Sequence, residues 1–284
     1  MIYDVAVIGT GPAGLSAALT LKLHNKSILW FGSKELSDKV GRSEKIANYP
    51  GLPFVSGADL NEAFRRQLEE MELQIEERMV SSVAETKNGF MLLADNEVFD
   101  AKTVLFAIGA VSAKGLPGET EYLGRGVSYC ATCDGFLYRG KTLAALCYHR
   151  RYEHEIAYLA ELADKLYVYA PFELIGLPAN AERLPLPVSR IGGERKVKEI
   201  GLTDGSVREV DGVFIMRDAI AAGTLLKGLE TEGPHIAADK RGCTNRPGCF
   251  AAGDCTGRPY QIAKAVGDGN VAAHSILEYL DGRA

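Results

Sequence analysis

Ile2-Tyr3-Asp4-Val5-Ala6-Val7-Ile8-Gly9-Thr10-Gly11-Pro12-Ala13-Gly14 opens the chain, and its reading decides the fold class. Residues 2–8 form a short, mostly apolar run suited to a parallel strand buried on both faces. The glycines that follow have the spacing of a dinucleotide-binding turn. Gly9 permits the tight turn, Gly11 lets the backbone approach a pyrophosphate, and Gly14 lets helix and sheet pack closely. Residues 15–23 then repeat Ala and Leu at near-helical spacing, and residues 27–31 supply a second strand. In such a βαβ unit the helix start offers N–H groups and partial positive charge to a phosphate.

Further along, residues 104–110 read as another apolar strand ending on glycine, and residues 114–118 as a linker. A weaker echo of the first unit follows: a strand at 142–147, a helix at 152–163 and a strand at 165–169. From residue 218 the chain regains the character of its opening, with a strand over 248–254 that ends on Gly253-Asp254 and a helix over 261–280. The expected fold is therefore α/β, with two Rossmann-like, three-layer domains. The first is discontinuous (1–111 and 218–284), and a second, degenerate nucleotide-binding-like domain (112–217) is inserted into it.

The first turn does not specify its dinucleotide. An acid at the end of the second strand would hold a ribose, but Phe31-Gly32-Ser33-Lys34 offers none before Glu35. Gly253-Asp254, followed by Gln261 and a helix, suits the ribityl chain and ring of a flavin. The second motif is Cys130-Ala131-Thr132-Cys133-Asp134. Two thiols at this spacing close a small disulfide, and Asp134 is placed to move the proton that exchange requires. The bland alternatives are half a zinc site or two buried structural cysteines, but the two further ligands that zinc needs are not evident nearby at sensible spacing. Cys243, Cys249 and Cys255 lack the close pair of an iron–sulfur site, and Cys147 near His149 and His154 reads as packing. No metal is expected.

Composition narrows the class. A chain of 284 residues with 46% hydrophobic content is long enough for two cores. A formal net charge of −5 argues against nucleic acid as a partner. No run approaches the roughly 18–20 apolar residues that cross a bilayer, so no membrane partner is expected. The N-terminus starts on a strand, not on a signal sequence, so a cytoplasmic location is expected. Six cysteines with a single C-x-x-C fit redox use better than a secreted disulfide framework.

These residues resemble the low-molecular-weight thioredoxin reductases over nearly the whole chain. The matching stretches are residues 9–14, Asn48-Tyr49-Pro50-Gly51, Gly57-Ala58-Asp59-Leu60, Ala107-Ile108-Gly109-Ala110, residues 126–135 with their Cys-Ala-Thr-Cys-Asp-Gly run, and residues 250–254. The resemblance implies FAD as cofactor, held by Gly9, Gly11, Pro12, Ala13, Gly14, Asn48, Gly109, Gly253, Asp254, Gln261 and Ile262. It also implies that Cys133 lies against the flavin, Cys130 attacks the thioredoxin disulfide and Asp134 donates the proton. A homodimer that alternates between two domain orientations is implied as well.

Three departures set this chain apart. Where the family's inserted domain carries a glycine-rich turn for NADPH, this sequence has Cys147-Tyr148-His149-Arg150-Arg151-Tyr152-Glu153. Ala170-Pro171-Phe172-Glu173 replaces the basic run for the 2′-phosphate, and Leu36-Ser37-Asp38-Lys39-Val40 replaces a Gly-Gly-Gln-Leu segment of the first domain. The sequence is similar to the NADPH-independent branch, the ferredoxin-dependent flavin thioredoxin reductases. The expected function is reduction of thioredoxin by ferredoxin through FAD, Cys130 and Cys133. Alternatives are an NADPH-dependent reductase with a degenerate nucleotide site, a flavin dithiol oxidase using oxygen, and a flavin-binding redox scaffold. Basic clusters expected to meet an acidic ferredoxin are Arg65-Arg66, Arg150-Arg151 and Arg195-Lys196-Lys198.

Overall fold

The computed structural model describes residues 1–95, 97–110, 115–129, 131–217 and 222–282, without the side chain of Cys133. It divides into two compact units, Met1–Lys114 with Ala219–Ala284, and Gly115–Asp218. The chain crosses between them three residues later than expected at the first crossing and one later at the second.

The first unit is built around β1 (Ile2–Ile8), which lies between β2 (Ile28–Phe31) and β5 (Glu97–Phe106), parallel to both. Helix α1 (Pro12–Leu23) makes the crossover from β1 to β2. A one-turn helix, α2 (Asp38–Gly41), and the longer α3 (Gly57–Glu70) follow. Helix α3 starts where the Ser56 hydroxyl accepts the Asp59 N–H at 3.0 Å. A hairpin of β3 (Val80–Thr86) and β4 (Gly89–Ala94) then adds antiparallel strands to the sheet.

The sequence reading starts β5 at residue 104, whereas the strand starts at Glu97. Its first half, with exposed residues facing out, pairs with β4, and its apolar second half pairs with a late strand.

The second unit begins with β6 (Val127–Ser128) and α4 (Ala131–Asp134). It continues through β7 (Thr142–Cys147), α5 (Glu153–Leu162), β8 (Lys165–Tyr169) and β9 (Ala181–Arg183). An antiparallel sheet of β10 (Val188–Gly193), β11 (Val197–Leu202) and β12 (Val207–Glu209) precedes β13 (Gly212–Met216). The parallel sheet runs β6-β13-β7-β8-β9. Strands β7 and β13 are almost wholly apolar and buried, as a sheet covered on both faces requires.

Back in the first unit come α6 (Ala222–Leu225), a small ribbon of β14 (Thr231–Glu232) and β15 (His235–Ile236), then β16 (Cys249–Ala251), parallel to β5. Helix α7 (Ile262–Leu280) closes the chain, one residue inside its predicted start. It packs on α1 in a core that includes Ala17, Ala18, Leu21, Leu105, Ala272, Ala273 and Ile276. Each large apolar side chain there contributes about 1.5–3 kcal/mol. Both units are α/β and Rossmann-like, as the sequence pattern implies.

Gly269 makes the α1–α7 contact possible, because a Cβ on it would stand 2.1 Å from the Ala13 carbonyl oxygen. Gly269→Ala is expected to cost about 2 kcal/mol in urea denaturation through overpacking. Gly267→Ala on the same helix has nothing within 4 Å of the added methyl and should gain about 0.5–1 kcal/mol from helix propensity.

At the base of β1, burial pulls the Asp4 carboxyl upward. The Lys102 ammonium at 2.8 Å, with the Ser27 N–H and hydroxyl, outweighs that and holds it down to about 2. Asp4 therefore contributes stability above its unfolded value of 3.8, and that contribution is lost as pH falls through 2. The stability gap between wild type and Asp4→Asn should be widest above pH 4 and close near pH 2 in acid titrations of urea unfolding.

Candidate functional site

Gly11 caps α1 in extended backbone (φ −72°, ψ 178°), with no side chain bonded to the helix start. The turn itself is held tightly. Gly9 donates to the Phe31 carbonyl at 2.8 Å, its own carbonyl accepts the Trp30 indole N–H at 2.9 Å, and Thr10 Oγ1 accepts from Ser33 N at 3.1 Å. Gly14 cannot carry a side chain either, since its Cβ would lie 2.0 Å from the Gly9 carbonyl oxygen. Around Gly11, by contrast, a Cβ would meet nothing within 4 Å. The loop is rigid on its protein side and open at Gly11, where uncapped N–H groups can receive a phosphate.

The late motif joins the same place. A Cβ on Gly253 would lie 2.8 Å from the Ala13 methyl and 3.6 Å from that of Ala265, so β16 and the start of α7 converge on the first turn of α1. Asn48 Nδ2 donates to Gln261 Oε1 at 2.7 Å, joining two predicted cofactor residues 213 positions apart. Ile262 is the half-buried first residue of α7, and Gly109 turns in the left-handed region (φ 75°) beyond β5. Lys39 Nζ stands 2.7 Å from Asp254 Oδ2 and 5.0 Å from the Tyr260 ring centroid. Lys39 did not emerge from the sequence, because nothing in residues 36–40 signals a partner 215 positions away.

The donor set fits FAD. The uncapped α1 start suits its pyrophosphate, the Asp254 carboxylate its hydroxyl-bearing chain, and the Asn48–Gln261 amides its polar ring edge. When bound, the flavin supplies a carrier that accepts electrons singly or in pairs.

In the second unit Cys130 and the side chain of Cys133 lie outside the described residues. The backbone around them is anchored at several points. Ser128 Oγ donates to Asp134 Oδ2 at 2.6 Å, across the C-x-x-C segment, and Ala131 N–H meets Glu155 Oε2 at 3.3 Å. Tyr129 Oη donates to Glu119 Oε1 at 2.6 Å, and the same carboxylate pairs with Arg217. Burial, with the Glu119 carboxylate beside it, pushes the Tyr129 phenol far above its ordinary range. Just after Asp134, Phe136 and Leu137 are 59% and 65% exposed, an apolar pair on the surface beside the motif.

The turn after β7 is filled by side chains. Residues Arg150–Tyr152 form a single 3-10 turn capped by His149, whose Nδ1 accepts the Arg151 N–H at 3.2 Å. The Arg150 guanidinium stacks 5.3 Å from the Phe172 ring centroid and donates to the Glu173 carbonyl at 2.8 Å. After β8, Arg183 donates to the Phe172 carbonyl at 2.8 Å.

Among the described residues Cys147, Cys243, Cys249 and Cys255 are free thiols. Burial pushes Cys147 up to about 11 and Cys249 and Cys255 up to about 12, which makes them inert packing groups. Among the described residues no cluster of three or more His, Cys, Asp or Glu could hold a metal, and no helix is long and apolar enough to cross a membrane.

Two α/β units, a glycine turn open to a pyrophosphate and a C-x-x-C segment on the second unit define a flavoprotein disulfide oxidoreductase. The family profile described as pyridine nucleotide-disulphide oxidoreductase matches residues 3–147 and 185–269, and the chain belongs to that family. FAD is its cofactor. Within the family it is of thioredoxin reductase type. It is 33% identical to a thioredoxin reductase of Helicobacter pylori, over 99% of both chains. A crystal structure of a ferredoxin-flavin thioredoxin reductase from Clostridium acetobutylicum superposes with a TM-score of 0.90 at 42% identity, covering 99% of this chain and 98% of that one. A thioredoxin reductase from Gloeobacter violaceus gives a TM-score of 0.77 at 27% identity, covering 99% and 95%.

Gly11→Val tests the pyrophosphate cradle. Its backbone is extended and its surroundings are empty, so the variant should fold with the thermal stability of the flavin-free wild type. It should purify without the yellow flavin absorbance that the wild type carries.

Proposed function

We propose that this protein reduces the disulfide of thioredoxin through FAD and a redox-active Cys130–Cys133 pair, with reduced ferredoxin and not NADPH as the electron source. The turn after β7 carries this reading. A pyrophosphate is bound by backbone N–H groups that a glycine-rich loop leaves bare. Here the Arg151 N–H is already taken by His149, and Tyr148, Arg150 and Arg151 surround it with bulk. After β8 the segment Ala170-Pro171-Phe172-Glu173 supplies an acid and no arginine for a 2′-phosphate, and Arg183 is bound to the Ala170 and Phe172 carbonyls there. A flavin without a nicotinamide site needs another donor, and a one-electron iron–sulfur protein matches what a flavin can accept. The likeness to the ferredoxin-flavin reductase, closer in identity than that to the Gloeobacter protein, points the same way.

In this scheme Cys130 is the thiolate that attacks the thioredoxin disulfide, Cys133 resolves the mixed disulfide, and Asp134 delivers the proton. The exposed Phe136 and Leu137 give a protein substrate an apolar seat beside the motif. Gly9, Gly11, Pro12, Ala13, Gly14, Asn48, Gly109, Gly253, Asp254, Gln261 and Ile262 hold the flavin in the first unit, residues 1–114 with 219–284, and the inserted unit presents the disulfide. A homodimer in the cytoplasm belongs to the same proposal. Of the basic clusters, Arg65 is paired with Glu62 and Glu35, and Lys198 with Glu194, so Arg195 and Lys196 lead as contacts for an acidic donor.

Anaerobic mixing of the oxidised protein with chemically reduced ferredoxin should bleach the flavin absorbance, and NADPH should leave it unchanged over the same minutes. Rapid bleaching by NADPH would overturn the assignment of the donor. Oxidation of a small dithiol with oxygen uptake, and no bleaching by ferredoxin, would favour the oxidase.

A further inference from the structure

Three residues from distant parts of the second unit meet in one buried cluster beside the redox motif. Glu119 is fully buried near the first crossing of the chain, and its Oε2 accepts the Leu116 N–H at 2.7 Å. Arg217 stands one residue before the end of the unit, directly after β13, and pairs with Glu119 Oε1. Tyr129, itself buried, donates to that same oxygen, and its ring lies 5.8 Å from the Arg217 guanidinium carbon. Tyr129 is the residue immediately before Cys130.

The arrangement is costly by design. Burying a carboxylate and a guanidinium takes both from water, and such pairs often add nothing to net stability compared with apolar packing. Arg217 Nε even remains buried with no hydrogen-bond partner. Gly115 leaves room for the carboxylate, since a Cβ there would come within 2.7 Å of it. What a directional buried network does provide is one fixed geometry. This network fixes the two ends of the inserted unit and the residue that precedes Cys130 against one another. The Ser128–Asp134 bond closes the same segment from its other side.

We propose that Glu119, Arg217 and Tyr129 are positioning residues that hold Cys130 in register with Cys133, so that the pair closes readily into its disulfide. The proposal rests on the redox role given to those cysteines above. A disulfide forms most readily when its two Cβ atoms are already about 3.5–4.5 Å apart, and loosening one thiol lowers the effective concentration that each presents to the other. Removing the cluster therefore makes the dithiol harder to oxidise.

The test equilibrates the holoenzyme in dithiothreitol buffers of graded ratio. The two protein S–H groups form their S–S bond and surrender two electrons and two protons, and the ring disulfide of oxidised dithiothreitol breaks to take them up. Free thiols are trapped with a maleimide, and the peptide containing residues 130 and 133 is read by mass. Thermal unfolding is recorded beside it. Glu119→Gln should lower the equilibrium constant for closing the disulfide by about tenfold, a shift of about 30 mV towards a more oxidising pair. Tyr129→Phe, the mildest change, should lower it by about threefold, or about 15 mV. Arg217→Lys should recover part of what Arg217→Met loses. Tyr129→Phe keeps the test decisive if Glu119→Gln fails to fold. Lower melting temperatures with unmoved redox equilibria would reduce the cluster to a structural brace and overturn the proposal. If the wild-type pair forms no disulfide at any ratio, the redox assignment falls and takes this inference with it; if only the variants fail to shift, the assignment survives alone.

Discussion

Backbone packed directly on backbone is the constraint on which the first unit depends. Gly14 lies against the Gly9 carbonyl and Gly269 against the Ala13 carbonyl, contacts too close for any side chain. Those approaches bring β1, α1, β16 and α7 to one point, and the open space at Gly11 is what remains between them. A methyl group at either contact would push α1 away and with it the uncapped N–H groups at its start. Ligand geometry here follows from the absence of side chains more than from their presence.

How much of this was legible depends on whether a residue acts with its neighbours or with distant ones. The opening β1–turn–α1 unit was, because its strand, glycine spacing and helix lie within 23 residues. So were β7, α5 and β8, each carried by its own apolar period. The β3–β4 hairpin was not. Phe90, Met91, Leu92, Leu93 and Ala94 are all apolar, yet Met91 and Leu93 face solvent, so the alternation that marks a half-exposed strand is erased. The sheet of β10–β12 was hidden by register shifts near Val188 and Gly192. At the candidate site the glycine spacing and the C-x-x-C each carry a local signature. Lys39 beside Asp254, and Glu119 beside Arg217, are pairings of the folded chain with no local signature.

The inserted unit keeps its parallel sheet without a glycine-rich turn after β7. Its parallel order stands on the buried apolar strands β7 and β13. The turn after β7 is free to change as long as it leaves those strands alone. There His149, Arg150 and Arg151 satisfy with their own atoms the groups that glycines would leave open. Fold likeness to nucleotide-binding domains therefore says little about nucleotide binding in this unit.

Trp30 is the only tryptophan in the chain, fully buried, with its indole N–H fixed to the carbonyl of Gly9. The dinucleotide turn thus has a built-in fluorophore attached to its first glycine. Tryptophan emission from this protein reports on one loop and is not averaged over the molecule. A flavin seated on that loop absorbs where indole emits, so the ultraviolet fluorescence is a direct gauge of how many molecules are loaded.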